Sequence, residues 1–200
     1  MTLLITGTVI GFCILNRIHY QTIRRKIAAA DAALSWMEYP SVASPPRLDH
    51  SRPTAVFAVG SSRSGGCTLH WVRREFSEHF KNIVFMNART VDSQSYGGET
   101  DLEVAEGQAA ASFAYFVNYC HHEGLAARSY LAFGTDPIEQ MTILAEKTHT
   151  DFPDSIFFTS KLIFDHDNWY IRQLHSEAAL TMLRQLHLRG IPMVILPMKL

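Results

Sequence analysis

The sequence predicts an α/β domain on a five-stranded, parallel, doubly wound sheet, preceded by an apolar and then basic N-terminal helix. Three observations predict it. Over residues 54–200, short β-branched and aromatic runs alternate with stretches of helical spacing, the pattern of βα units whose strands pair in parallel. The run Thr54-Ala-Val-Phe-Ala-Val59 passes through a Gly/Ser-rich turn into a segment with Leu69, Val72, Phe76 and Phe80 on one helical face. A stretch holding Pro40, Pro45, Pro46 and Pro53 with Ser41, Ser44 and Ser51 separates that domain from an uncharged apolar run at 3–15.

Composition bounds the reading. Two hundred residues suffice for one full-sized domain and an appendage. An apolar fraction of 47% excludes a disordered chain, and a net charge of −1 argues against nucleic acid or an acidic substrate as partner. The charge is unevenly spread: residues 1–53 carry six Lys/Arg against three Asp/Glu, so the front end is basic. Cys13, Cys67 and Cys120 are odd in number and lack CxxC spacing, which fits reduced thiols in the cytosol.

Taken in order, the run at 3–15 is shorter than the roughly 17–25 residues that span a bilayer. Its positive charges follow it (Arg17, His19, Arg24, Arg25, Lys26), which excludes a secretory signal and puts the C-terminal side in the cytoplasm. It reads as the cut end of a longer transmembrane helix in an inner, cytoplasmic membrane; a buried or interfacial helix of a soluble protein is the alternative. From Arg17 to Met37, Ile18, Ile23, Ile27 and Leu34 recur at helical spacing among basic residues, as in a juxtamembrane helix on anionic lipid or an ordinary solvated face. The expected organisation is an anchor and juxtamembrane helix at 1–39, a Pro/Ser linker at 40–53 and a cytosolic domain at 54–200.

Within the domain, Ile83–Met86 is the second strand, ending at Asn87. Asp101 to Glu123 is a long helix with Leu102, Ala109, Phe113, Phe116, Val117 and Cys120 on its apolar side and Gly124 as C-cap. Ala127–Phe133 is the third strand. Pro137 opens the next helix behind Thr135 or Asp136 as N-cap. The fourth strand lies within 155–164, a helix spans Trp169–Leu188 and stops at Gly190, and Ile191–Leu196 is the fifth strand. Right-handed crossovers favour a flavodoxin-like order 2-1-3-4-5 or its relative 3-2-1-4-5. Ligands of such sheets bind beyond the strand C-termini, here the loops 60–67, 87–98, 134–136 and 164–168.

Two of those loops supply the candidate ligand-binding residues: Gly60, Ser61, Ser62, Ser64, Gly65 and Gly66 in the first, and Gly134, Thr135 and Asp136 in the third. Such loops leave backbone N–H groups free at a helix N-terminus for an anion. Gly60-x-x-x-x-Gly65 has phosphate-loop spacing, but Gly66 and Cys67 stand where Lys and Ser/Thr are needed, which rules out an NTPase. A tight turn that lets the helix pack back on the sheet is the plainer reading. No motif indicates a specific cofactor, and a nucleotide is the only class entertained.

The second half carries further patterns: Gly134-Thr-Asp-Pro137, Asp151-Phe-Pro-Asp-Ser-Ile-Phe-Phe-Thr-Ser-Lys-Leu-Ile-Phe164, Asn168-Trp-Tyr-Ile-Arg-Gln-Leu-His175 and Arg189-Gly-Ile-Pro-Met-Val-Ile-Leu-Pro-Met198. These resemble the cytosolic C-terminal domain of bacterial amino acid permeases of the amino acid–polyamine–organocation superfamily. The resemblance implies a last transmembrane helix, a basic juxtamembrane helix and an α/β domain of universal-stress-protein type, without the transport core. It implies a regulatory or accessory role, membrane lipid and the permease core as partners, and no catalysis. ATP-binding universal stress proteins carry a Gly-rich loop after the fourth strand, where this chain has Lys161-Leu-Ile-Phe-Asp-His-Asp-Asn168, so an ATP site is not carried over. The alternative is a free-standing, membrane-attached nucleotide-binding protein of universal-stress type.

The remaining reactive residues carry weaker signals. Adjacent His121 and His122 point to different helix faces, and His166 between Asp165 and Asp167 is the better metal triplet, yet a solvated or capping loop explains it. Cys67 at a helix N-terminus has only His70 as a local base. Arg172 and His175 share a helix face, and Trp71 and Trp169 read as core or interface aromatics. No catalytic or metal site is expected; a homodimer through an edge strand is left open.

Overall fold

A computed structural model describes residues 5–15, 17, 18, 21, 39–59, 62–90, 99–163 and 178–199. The chain divides into two units, Met1–Glu38 and Tyr39–Leu200. In the first, residues 5–15 are helical, and the large apolar side chains Ile5, Val9, Ile10, Phe12, Ile14 and Leu15 are all exposed. Among the described residues, no helix is long and apolar enough to cross a membrane. The expected juxtamembrane helix falls mostly outside the described residues.

The second unit is the α/β domain. Its elements are β1 (Thr54–Ala58), α1 (Ser62–Glu75), β2 (Asn82–Thr90), α2 (Glu99–His122), β3 (Ala126–Gly134), α3 (Pro137–Asp151), β4 (Ser155–Ile163), α4 (Ala178–Leu188) and β5 (Met193–Lys199). All strands are parallel, in the order β3-β2-β1-β4-β5. That is the 3-2-1-4-5 member of the two expected orders.

Alternation along the strands divides the core in two. Ala55 and Phe57 of β1 and Val59 just beyond it, with Ile83, Phe85 and Phe158, meet Leu69 and Val72 of α1 and Phe113, Phe116 and Cys120 of α2. Val56, Ala58, Val84, Met86 and Phe157 face the other way, onto Ala145 of α3 and Met182 and Leu186 of α4. Phe57 sits at the centre, its ring stacked 5.5 Å from Phe85 and 5.7 Å from Phe158. Each such side chain contributes roughly 1.5–3 kcal/mol through burial. β1 is buried at every position because both faces and both edges are covered.

The boundaries differ from expectation in instructive places. β2 does not end at Met86 but continues to Thr90, because β3 pairs with it as far as Gly134. The last strand is Met193–Lys199 and includes Pro197, tolerable because β5 is an edge strand. Phe76 and Phe80 lie past the end of α1, in the turn to β2. Of the expected helix Trp169–Leu188, the described part begins at Ala178; 164–177, with His166, Trp169, Arg172 and His175, lies outside the described residues.

The proline-rich stretch is not helical, as expected, but neither is it a detached linker. It packs on the domain as a strap. Tyr39 packs tilted or edge-on among Tyr115, Tyr119 and His122, with ring centroids 5.3–5.8 Å apart. Asn118 Nδ2 donates to the Tyr39 carbonyl at 2.9 Å, and His122 Nε2 bonds the Pro40 carbonyl at 2.8 Å. At the other end, buried Asn82 accepts from Asp49 N at 3.1 Å and donates to Asp49 O at 2.6 Å. His50 stacks on Phe152 at 4.5 Å.

Candidate functional site

The strand C-termini form a stepped edge. β1 ends at Ala58, level with Met86 of β2, while β2 runs on to Thr90 and β4 to Ile163. Four residues of overrun on each side, about 13 Å at 3.3 Å per residue, carry both neighbours past the end of β1. This is where strand order reverses, with β2 and β3 on one side of β1 and β4 and β5 on the other. In doubly wound sheets it is the ligand-binding position.

Side chains from both walls close the end of β1. Asn87 Nδ2 donates to the Val59 carbonyl at 2.6 Å, and Thr159 Oγ1 donates to the Ala58 carbonyl at 2.9 Å. Val59 N–H in turn donates to Met86 O at 3.0 Å. These bonds satisfy carbonyls that β1 would otherwise leave unpaired. Neither Asn87 nor Thr159 is among the expected site residues. The signal was faint: one amide and one hydroxyl, each at the end of an apolar run that reads as plain strand.

The expected loop 60–67 is much shorter, because α1 already begins at Ser62. Gly60 and Ser61 lie outside the described residues. Ser62 and Ser64 fall in the first turn of α1, and Gly65 and Gly66 are helical rather than loop residues. Gly65 has a packing reason. A Cβ there would stand 2.9 Å from Val59 Cγ1 and 3.2 Å from Phe116 Cζ, so its absence lets α1 lie against the end of β1 and against α2. The phosphate-loop spacing of Gly60 and Gly65 thus ends on a helix–strand contact.

Gly134, Thr135 and Asp136 stand elsewhere on the same edge. Gly134 closes β3, two strands from β1 and four residues beyond the level of Ala58. That sets Gly134 roughly 10 Å across the sheet and 13 Å along it from the end of β1. Asp136 is the N-cap of α3: its Oδ1 accepts from Ile138 N at 2.8 Å and Glu139 N at 3.3 Å, with Pro137 beginning the helix. Its carboxylate holds the N–H groups that an anion would need. Gly134 would set a Cβ 2.5 Å from Gln140 Cγ, so any side chain there displaces Gln140.

Of the reactive residues, Cys67 is helical, within α1, and its side chain lies outside those described. Cys120 is buried, and burial pushes its thiol up to about 12, the reverse of an activated nucleophile. His121 and His122 do diverge: one ring bonds the Ala127 carbonyl and the other the Pro40 carbonyl. Among the described residues, no three His, Cys, Asp or Glu side chains gather as metal ligands. Trp71 packs half-buried against the α1–α2 core, as an aromatic core residue.

The geometry therefore defines a class, a doubly wound parallel α/β domain with a stepped C-terminal edge. No protein-family model and no curated protein matches the chain.

Proposed function

We propose that this chain is the cytosolic accessory and regulatory part of an amino acid permease, without the transport core. One observation carries the reading: the helix at 5–15 bears large apolar side chains on all sides, with Ile5 62% and Leu15 68% exposed, and basic residues follow it. A helix apolar all round belongs in an apolar surrounding such as a bilayer or a bundle of other helices. The permease-like patterns of the second half favour the helix bundle of a permease. The α/β domain then sits in the cytoplasm and acts by binding or by contact, not by catalysis.

The experiment is an immunoblot of fractionated native cells with an antibody against the α/β domain. The reading expects a membrane band that resists alkaline carbonate and is heavier than 22.6 kDa. A soluble band would overturn it. A membrane band at 22.6 kDa would instead favour a free-standing membrane-attached protein of universal-stress type. The switch point at the end of β1 supports that second reading, since doubly wound sheets bind ligands there; a rise in melting temperature with nucleotide would test it.

A further inference from the structure

The strap leaves a groove of about 620 Å³ at the opposite edge of the sheet, against the turn after α1 and the start of β3. Small-molecule sites span roughly 300–1,000 Å³. Three properties of its lining point to a ligand. Its charges are unequally used: Arg73 is bound to Glu123 at 2.8 Å and Tyr119 Oη at 2.6 Å, and Arg52 pairs with Asp49 at 3.3 Å. The side chains of Arg47, Lys81 and Glu78, by contrast, have no hydrogen-bond or ion-pair partner among the described residues. Glu78 moreover holds a left-handed φ of 62°, a conformation that strains a residue with a Cβ. Finally, Phe76 is 38% exposed beside an apolar floor of Phe80, Ile83 and Leu125.

We infer that this groove binds a free α-amino acid with an apolar side chain. Arg47 and Lys81 answer its carboxylate, Glu78 its ammonium, and Phe76 packs on its side chain. A simple carboxylate would leave Glu78 unanswered and repelled, and a simple amine would leave two cations unanswered. A zwitterion answers all three charges. The strap forms one wall, so occupancy is felt by the segment that leads back through Tyr39. The inference rests on the permease reading for its meaning, which is feedback from imported solute, but the binding does not depend on it.

The test is isothermal titration of the full chain in detergent with L-phenylalanine and L-leucine, against 3-phenylpropionate and phenethylamine. Saturable binding is expected for both amino acids, with each control and each of R47A, K81A and E78Q at least about tenfold weaker. These side chains are exposed, so the variants should melt as the parent does. Glu78→Gly separates a site from a structural role: it should raise the melting temperature by relieving the left-handed strain, yet weaken binding as much as E78Q. No heat with either amino acid, controls binding equally, or variants of unchanged affinity would overturn the site. A failed titration leaves the membrane immunoblot standing, whereas intact binding in a soluble protein keeps the site and removes the permease reading.

Discussion

At the scale of single residues, Cys120 and Gly65 show how burial decides chemistry. The Cys120 thiol titrates near 9.0 when exposed and is pushed up to about 12 in the fold by burial. The folded state therefore binds the proton more tightly than the unfolded one. Its contribution to stability is complete below pH 9.0 and is lost as pH rises towards about 12. Cys120→Ala should flatten the alkaline limb of the stability curve, read as melting temperature against pH; an unchanged limb would mean the thiol is not the cause. Gly65→Ala sets two effects against each other. Helix propensity alone would favour Ala by about 1 kcal/mol, but the Cβ meets Val59 at 2.9 Å and Phe116 at 3.2 Å. Neither neighbour can move without disturbing the core, so we expect a net loss of about 1–3 kcal/mol by chemical denaturation. Gly65 was legible in the sequence as a required glycine but not for its reason. Phosphate-loop spacing and helix–strand packing call for the same residue, and only the contact with Phe116, 51 positions away, separates them.

At the scale of elements, the histidines that invite a metal reading turn out to fasten helices to strands. Near the C-terminal end of α2, His121 bonds the Ala127 carbonyl at 3.1 Å; at that of α3, His149 bonds Ser155 Oγ at 2.9 Å; at that of α4, His187 bonds the Met193 carbonyl at 3.3 Å. Each partner is six residues on, at the start of the next strand. α2 and α4 also close alike: Gly124 and Gly190, both with φ of 74°, are each followed by an apolar residue, Leu125 or Ile191, whose N–H bonds back to Cys120 or Leu186. Replacing His121 or His187 by Ala should cost about 0.5–1.5 kcal/mol each, and the double variant should be additive within a few tenths because the corners share no partner. Strong non-additivity would mean the corners are coupled through the sheet. The glycine stops were legible because a left-handed C-cap has a strong residue preference. The histidine corners were not, since a spacing of six across a turn belongs to neither helix nor strand periodicity. The last residues of β2 were missed for a similar reason. Asn87-Ala-Arg-Thr90 reads as loop, and is strand because β3 supplies a partner through Gly134.

At the scale of the whole molecule, the alternation of strands and helices predicts the layers and the direction of pairing, because each crossover must be right-handed. It does not settle where the domain starts. Proline-rich sequence before Thr54 looks like a tether, yet the unit starts at Tyr39 and the strap is held at both ends. Asn82 is the clearest anchor. It is 1% exposed, and its Nδ2 reaches Asp49 O at 2.6 Å and Thr54 Oγ1 at 3.0 Å while its Oδ1 accepts from Asp49 N. Removing the strap strands that buried amide and uncovers the Tyr115 and Tyr119 rings. An unmet buried polar group costs about 1–3 kcal/mol, and lost aromatic pairs add about 0.5–1.5 kcal/mol each. A fragment of residues 39–200 should therefore be more stable than one of 54–200 by several kcal/mol, a gap that chemical denaturation resolves easily. Asn82→Ala in the longer fragment should reproduce part of that loss, and tryptic cleavage after Arg47 should then quicken. Equal stability of the two fragments would show that the strap lies on the domain without holding it. The groove beneath it could then transmit nothing through Tyr39, even if it binds its ligand.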